Sequence, residues 1–212
     1  MSQHELDRQI QDLHGLGYPA LAGLAPADFD ALVEPLREQV AVIEATGPDP
    51  TDSAADDRIP FLLVVRSSLV ATVDAVARWS VRGKAGWTDM EAELSGYQPL
   101  EDLAVPDDRV YLLLDVDTGR DTLGVSPDDA LPKIRAAGRT PLTVDEGVAL
   151  VTHFPDVFTS HNAFQALGSR AQNKRVPSFW VSKGAPRLGW CWAGNPHSWL
   201  GAASAGGRVG VR

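Results

Sequence analysis

The chain has 212 residues and 22.7 kDa, 44% hydrophobic and 22% charged, with a formal charge of −9. That is enough for one large domain with its own core and no metal or disulfide staple. The apolar content and six tryptophans exclude a disordered chain, and the densest apolar run, Phe61–Val65, is far shorter than the roughly 20 residues that span a bilayer. The charge is split unevenly: residues 1–156 carry all 28 acids, whereas residues 157–212 carry seven basic residues and no acid. The first ten residues, MSQHELDRQI, have no apolar signal core, and the single cysteine, Cys191, fits a reducing compartment. Both features point to the cytoplasm.

In chain order, Leu6, Ile10, Leu13 and Leu16 follow near-helical spacing until Gly15–Pro19 stops the pattern. A second helix opens at Pro26, with Phe29, Leu32, Val33, Leu36, Val40 and Ile43 on its apolar face. Pro35 should kink or break it. Gly47–Asp57 is acidic and proline-interrupted and reads as a surface loop or linker. Arg58–Arg66 reads as a buried strand, and Leu69–Ala77 as a helix ending near Trp79. Val81–Tyr97 has no clear period.

Val110–Val116 is the clearest strand, and Thr122–Val125 should return beside it as a hairpin after the turn Asp117-Thr-Gly-Arg. Ser126-Pro-Asp-Asp and Thr143-Val-Asp-Glu are helix starts, the second a capping box leading to about His153. A short helix is expected over Ser160–Leu167, then strands over Arg175–Lys183 and Arg187–Ala193. Gly201–Arg212 is Gly-rich and mobile unless docked. The class is α+β: a helical section over 1–46, a core over 58–201 of mixed or antiparallel sheet with flanking helices, and a Gly-rich tail over 202–212. One structural domain is favoured over two.

Two blocks, VYLLLDVDTGRDTLGVSPDDALPKIRAAGRTPLTVDEGVALVTHFP (110–155) and RVPSFWVSKGAPRLGWCWAGNPHSWLG (175–201), together with GYPAL near the start, resemble an uncharacterised family of actinobacterial proteins, a domain of unknown function. The resemblance implies a bacterial cytoplasmic protein and brings no activity, cofactor or site residue with it. The chemistry therefore rests on the residues themselves.

Asp115-Val-Asp117-Thr-Gly119 after a strand matches part of a phosphatase-type DxDx(T/V) pattern, in which one acid attacks phosphorus and a metal neutralises charge. Its fifth position is glycine, and no acid follows Asp156 to complete a metal site. Asp-Thr-Gly also occurs in aspartic proteases, but the helices expected around it oppose a protease barrel. A turn is the better reading. His153, His161, Cys191 and His197 are of zinc-ligand type, but their spacing matches no common zinc pattern, and no metal or cofactor is called for. Arg82-Gly-Lys-Ala-Gly86 lacks the spacing of a phosphate loop. Cys191 could act as a nucleophile if Arg187 or His197 lowered its pKa. Strand alternation instead sets it on the face opposite Trp190 and Trp192, as a packed thiol.

The strongest constellation is C-terminal: Arg170, Arg175, Lys183 and Arg187 with Trp180 and Trp192, then Asn195 and His197. Cations, aromatic faces and amide donors suit an anionic small molecule with a flat ring, or an acidic protein segment. The competing reading is internal: the basic residues face the acidic N-terminal part and the indoles build the core between them. Nucleic acid is disfavoured by the net negative charge, and a membrane partner by the lack of a spanning segment. An enzymatic alternative uses the same region, with His197 as acid–base and Cys191 or Asp115 as partner.

Overall fold

A computed structural model of the chain describes residues 2–46, 58–158 and 163–211. The helical section consists of α1 (Ser2–Gly15), the short α2 (Tyr18–Leu21), α3 (Pro26–Val33) and α4 (Leu36–Thr46). The break between α3 and α4 falls at Pro35, where a missing N–H and a ring clash oppose an unbroken helix. The acidic loop at 47–57 lies outside the described residues.

Strand β1 (Ile59–Val65) is followed by α5 (Thr72–Arg78), by the short strands β2 (Ser80–Val81), β3 (Lys84–Ala85), β4 (Trp87–Thr88) and β5 (Gln98–Pro99), and by β6 (Val110–Val116). Next come α6 (Pro127–Ala136), β7 (Thr140–Pro141) and α7 (Val144–His153). Strands β8 (Ala163–Gln165), β9 (Ser169–Arg170), β10 (Arg175–Ser182), β11 (Ala185–Trp192), β12 (Leu200–Ala202), β13 (Ser204–Ala205) and β14 (Gly207–Val209) complete the chain. Both expected caps form: the Ser126 hydroxyl accepts the Asp129 N–H, and Thr143 and Glu146 close a reciprocal box. The fold is α+β. No helix among the described residues is long and apolar enough to cross a membrane.

Two sheets organise the core. The first is antiparallel, in the order β1-β6-β14. The second is mixed, β12-β8-β10-β11-β4, with the β10–β11 hairpin at its centre. That hairpin turns through Lys183-Gly184 with φ of 53° and 78°, as a two-residue loop between right-twisted strands requires. One continuous apolar cluster runs from Leu6 and Phe29 in the helical section through Leu62 and Leu112 to Phe179 and Ala205. The helical section also seals the free edge of β1. Buried Gln9 donates to the Phe61 carbonyl (3.1 Å) and accepts the Leu63 N–H (2.7 Å), so its amide stands in for a neighbouring strand.

Two expectations are corrected and a conditional one is decided. Thr122–Val125 forms no strand. Asp117 Oδ1 instead accepts the Gly119 N–H (2.7 Å), Arg120–Thr122 coil into a 3-10 turn, and the second partner of β6 is the distant β14. The short helix expected over Ser160–Leu167 is replaced at Ala163–Gln165 by β8, paired on both sides with β10 and β12; residues 160–162 lie outside the described set. The Gly-rich end, mobile unless docked, is docked: β12, β13 and β14 join β8, β7 and β6.

Candidate functional site

Alternation along the β10–β11 hairpin divides the C-terminal constellation between two faces. The pairs Arg175–Trp192, Pro177–Trp190 and Phe179–Leu188 lie on the face that enters the main core. The pairs Val176–Cys191 and Trp180–Arg187 lie on the other. The residues expected to form one site therefore form two clusters.

On the core-side face, Arg175 stacks over Trp190 at 4.1 Å from the ring centre and binds both Glu93 oxygens (2.8 and 2.7 Å). Trp192 flanks it, 46% exposed. On the opposite face a row runs across the sheet: Trp87 on β4, Arg187 on β11, Trp180 on β10, then Trp199 and His197 before β12. The Arg187 guanidinium carbon lies 4.4 Å from the centre of Trp87 and 4.7 Å from that of Trp180, so the cation is sandwiched. Trp180 meets Trp199 edge-on at 6.2 Å, and His197 lies 5.5 Å from Trp199. Gly189 makes the row possible, because a Cβ there would overlap the Trp180 ring. Arg187 Nη2 donates to Asp89 (2.6 Å), whose carboxyl is thereby held below its ordinary range, while the buried Arg187 Nε has no acceptor.

The remaining candidates are dispersed. Arg170 faces Asp128 at 3.7 Å, and burial lowers its pKa. Lys183 is exposed at the hairpin tip, where its carbonyl accepts Lys84 Nζ (2.8 Å). Asn195 is exposed in the loop after β11. With Arg208 paired to Glu146, four C-terminal arginines each face an acid from residues 1–156.

For the catalytic candidates, burial pushes the Cys191 thiol up, against the weaker pull of Ser178 and Arg187. Asp115 adopts φ of +50° and is clamped: Arg58 Nη1 contacts both oxygens (3.2 and 3.1 Å), and Arg139 holds Oδ2 and the main-chain carbonyl (2.5 Å each). Of the zinc-type residues, His153 is buried and donates from Nε2 to the Leu63 carbonyl (2.9 Å), whereas His161 lies outside the described residues. Among the described residues no group of three or more His, Cys, Asp or Glu could hold a metal.

Sequence reasoning missed a second feature. A cavity of about 360 Å³ opens where β1 ends, bounded by the N-termini of α5 and α7 and by the segment around Tyr97. Asp145, in the first turn of α7, lines it. Its Oδ2 accepts both the backbone N–H (3.1 Å) and the hydroxyl (3.2 Å) of Ser67, and Oδ1 has no partner. Burial pushes the Asp145 carboxyl up, outweighing the Ser67 hydrogen bonds and the charge of Arg66. Arg66 lines the same cavity, with its Nη1 on the Pro106 carbonyl (3.0 Å) and its buried Nε without an acceptor. Asp145 had a sufficient local reason to exist, as an acid at the positive end of a helix. The sequence signal was its coincidence with a charged residue, Arg66, ending a buried strand.

Comparison with known proteins gives a match to the model of a family of unknown function (DUF5701), over residues 12–211. Comparisons with curated proteins and with solved structures give no match.

Proposed function

We propose, for a chain that belongs to this family of unknown function, that the protein works by binding. Its aromatic row holds an anionic small molecule with a flat ring. The observation that carries this reading is Arg187, stacked between Trp87 and Trp180 and paired with a half-exposed acid, Asp89. Asp89, half exposed, is the internal acid such a ligand would displace. Trp180 and Trp199 would supply ring faces and His197 a polar group at the end of the row, in a bacterial, specifically actinobacterial, cytoplasm.

Arg175 is the weaker partner for a ligand, because Glu93 already takes it in a two-oxygen contact. Arg170, Lys183 and Asn195 lie outside the row and would contribute at most long-range charge. The enzymatic alternative, His197 with Cys191 or Asp115, is not favoured by a half-buried thiol whose pKa burial raises and a carboxylate occupied by two guanidinium groups.

The test is tryptophan-fluorescence titration with indole-3-acetate and adenosine monophosphate. Saturable quenching that survives Arg175→Met and is lost in Arg187→Met is the expected result. If neither compound binds and an acidic peptide does, the row is a protein-docking face. If nothing binds, the reading fails.

A further inference from the structure

Two hairpin turns stand side by side, those of β2–β3 and β10–β11, and each has a basic residue at its apex. Val81 pairs with Lys84 and Ser182 with Ala185, so the loops are the two-residue pairs Arg82-Gly83 and Lys183-Gly184. Both residues of each loop have positive φ, 51° and 76° in the first and 53° and 78° in the second. Such loops ordinarily take Asn, Asp or Gly at the first position, because a long side chain there is strained. Only three non-glycine positions among the described residues have positive φ, and Arg82 and Lys183 are two of them. Asparagine would make either turn more easily, so turn formation does not explain the charge. Strain kept at two neighbouring sites points to a use for what stands there.

The two apexes are joined. Lys84 Nζ donates to the Lys183 carbonyl (2.8 Å), which brings a third cation onto the second turn. Arg82, Lys84 and Lys183 are exposed, and none makes an ion pair with an acid among the described residues. The chain around them is free of acids: none lies between Asp74 and Asp89, and none after Asp156. Val181, two residues before the second apex, is an exposed aliphatic side chain.

We propose that the paired turns bind the surface of an anionic lipid bilayer, with the three cations on headgroup phosphates and Val181 at the acyl boundary. Such a contact is peripheral and needs no spanning segment. Two exposed turns fastened side by side can touch a flat surface together, whereas a small ligand would need a concave site. The net charge of −9 does not prevent it. At physiological ionic strength the Debye length is about 8 Å, so acids farther than that from the tips are screened. The surface is separate from the aromatic row and does not rest on it.

The test is co-sedimentation of the full chain with vesicles of phosphatidylcholine alone and of equal parts phosphatidylcholine and phosphatidylglycerol. Binding should appear only with the anionic vesicles and be lost at about 1 M salt, where the Debye length is about 3 Å. Each cation near an anionic surface contributes about 1 kcal/mol, which is about fivefold in partitioning. Arg82→Asn, Lys84→Gln and Lys183→Asn combined should therefore weaken binding about a hundredfold. The two asparagine changes should leave the melting temperature unchanged or raise it, because asparagine suits both turns. Lys174→Gln, at the opposite end of the β10–β11 hairpin, should leave binding unchanged. Equal binding to both vesicles, no binding to either, or unchanged binding of the triple variant overturns the proposal. So does a lower melting temperature with asparagine at the apexes, which would make the basic residues structural. Binding to single-stranded DNA or polyglutamate without binding to vesicles assigns the turns to another partner and overturns it as well.

Discussion

Arg208 reaches Glu146 across 62 residues of sequence, its Nε and Nη2 meeting the two carboxylate oxygens at 2.5 and 2.9 Å with both side chains buried. The Glu146 carboxylate serves two further partners at once. It closes the capping box of α7 through the Thr143 N–H and accepts the Tyr111 hydroxyl (2.8 Å), while Arg208 also holds the Pro141 carbonyl and the Thr140 hydroxyl. Burial and the Glu146 charge push the Tyr111 hydroxyl well above its ordinary range, so it remains a donor.

Arg208→Ala leaves the Glu146 charge buried without its cation. Removing one member of such a pair costs about 3–5 kcal/mol, and this one fastens the last sheet strand to a helix cap. Urea denaturation should show a loss of that size. The Arg208→Met, Glu146→Gln double variant should lose less than the sum of the two single changes, because the sites are coupled.

Asp145→Asn should stabilise the protein at neutral pH. The folded-state pKa of Asp145 is raised by burial, so the native state binds a proton more tightly than the unfolded chain. Stability then falls as pH rises from the unfolded value through the folded one. Arg66 offsets part of that penalty, while Glu146 adds to it; Glu91 lines the same cavity. Asparagine removes the ionisation. Melting curves should place the variant above the parent at pH 7 and show the gap closing as pH drops below the ordinary aspartate range. A gap that widens in acid would refute the assignment.

Gly189→Ala should cost about 1–3 kcal/mol, the usual range for overpacking a well-filled contact. The added methyl displaces the Trp180 ring from the sheet and with it the stack on Arg187. Near-UV circular dichroism should change with the loss of stability, and binding of aromatic anions should weaken in the same variant.

Cys191 should alkylate more slowly than a free cysteine at neutral pH, since the thiolate is the reactive form and burial disfavours it. Iodoacetamide kinetics followed by mass spectrometry give the rate. A faster reaction than free cysteine would reopen the nucleophile reading.

What could be read in advance was local. The capping box at Thr143–Glu146 and the strands at Val110–Val116 and Arg175–Ser182 carry their signals within a few residues. The segment at Ala163–Gln165 does not: three residues have too little pattern to declare a strand, and pairing with β10 and β12 decides their conformation. The C-terminal arginines were legible as a charge excess but not as partners. Arg175 meets Glu93 from 82 residues away, and Arg187 meets Asp89 from 98, separations fixed only by tertiary packing. The same limit hid the cavity, where Ser67 and Asp145 are 78 residues apart.

The placement of β14 has a consequence for biosynthesis. Residues 117–206 must leave the ribosome before Gly207–Val209 can pair with Leu112–Leu114. During that interval the hydrogen-bonding edge of β6, an almost wholly apolar strand, has nothing to close it. Non-local pairing of this kind slows folding and leaves a sticky edge open to other nascent chains. Translation speed through the last third of the message, and the chaperones that shield Val110–Val116 meanwhile, should therefore govern how much soluble protein a cell recovers.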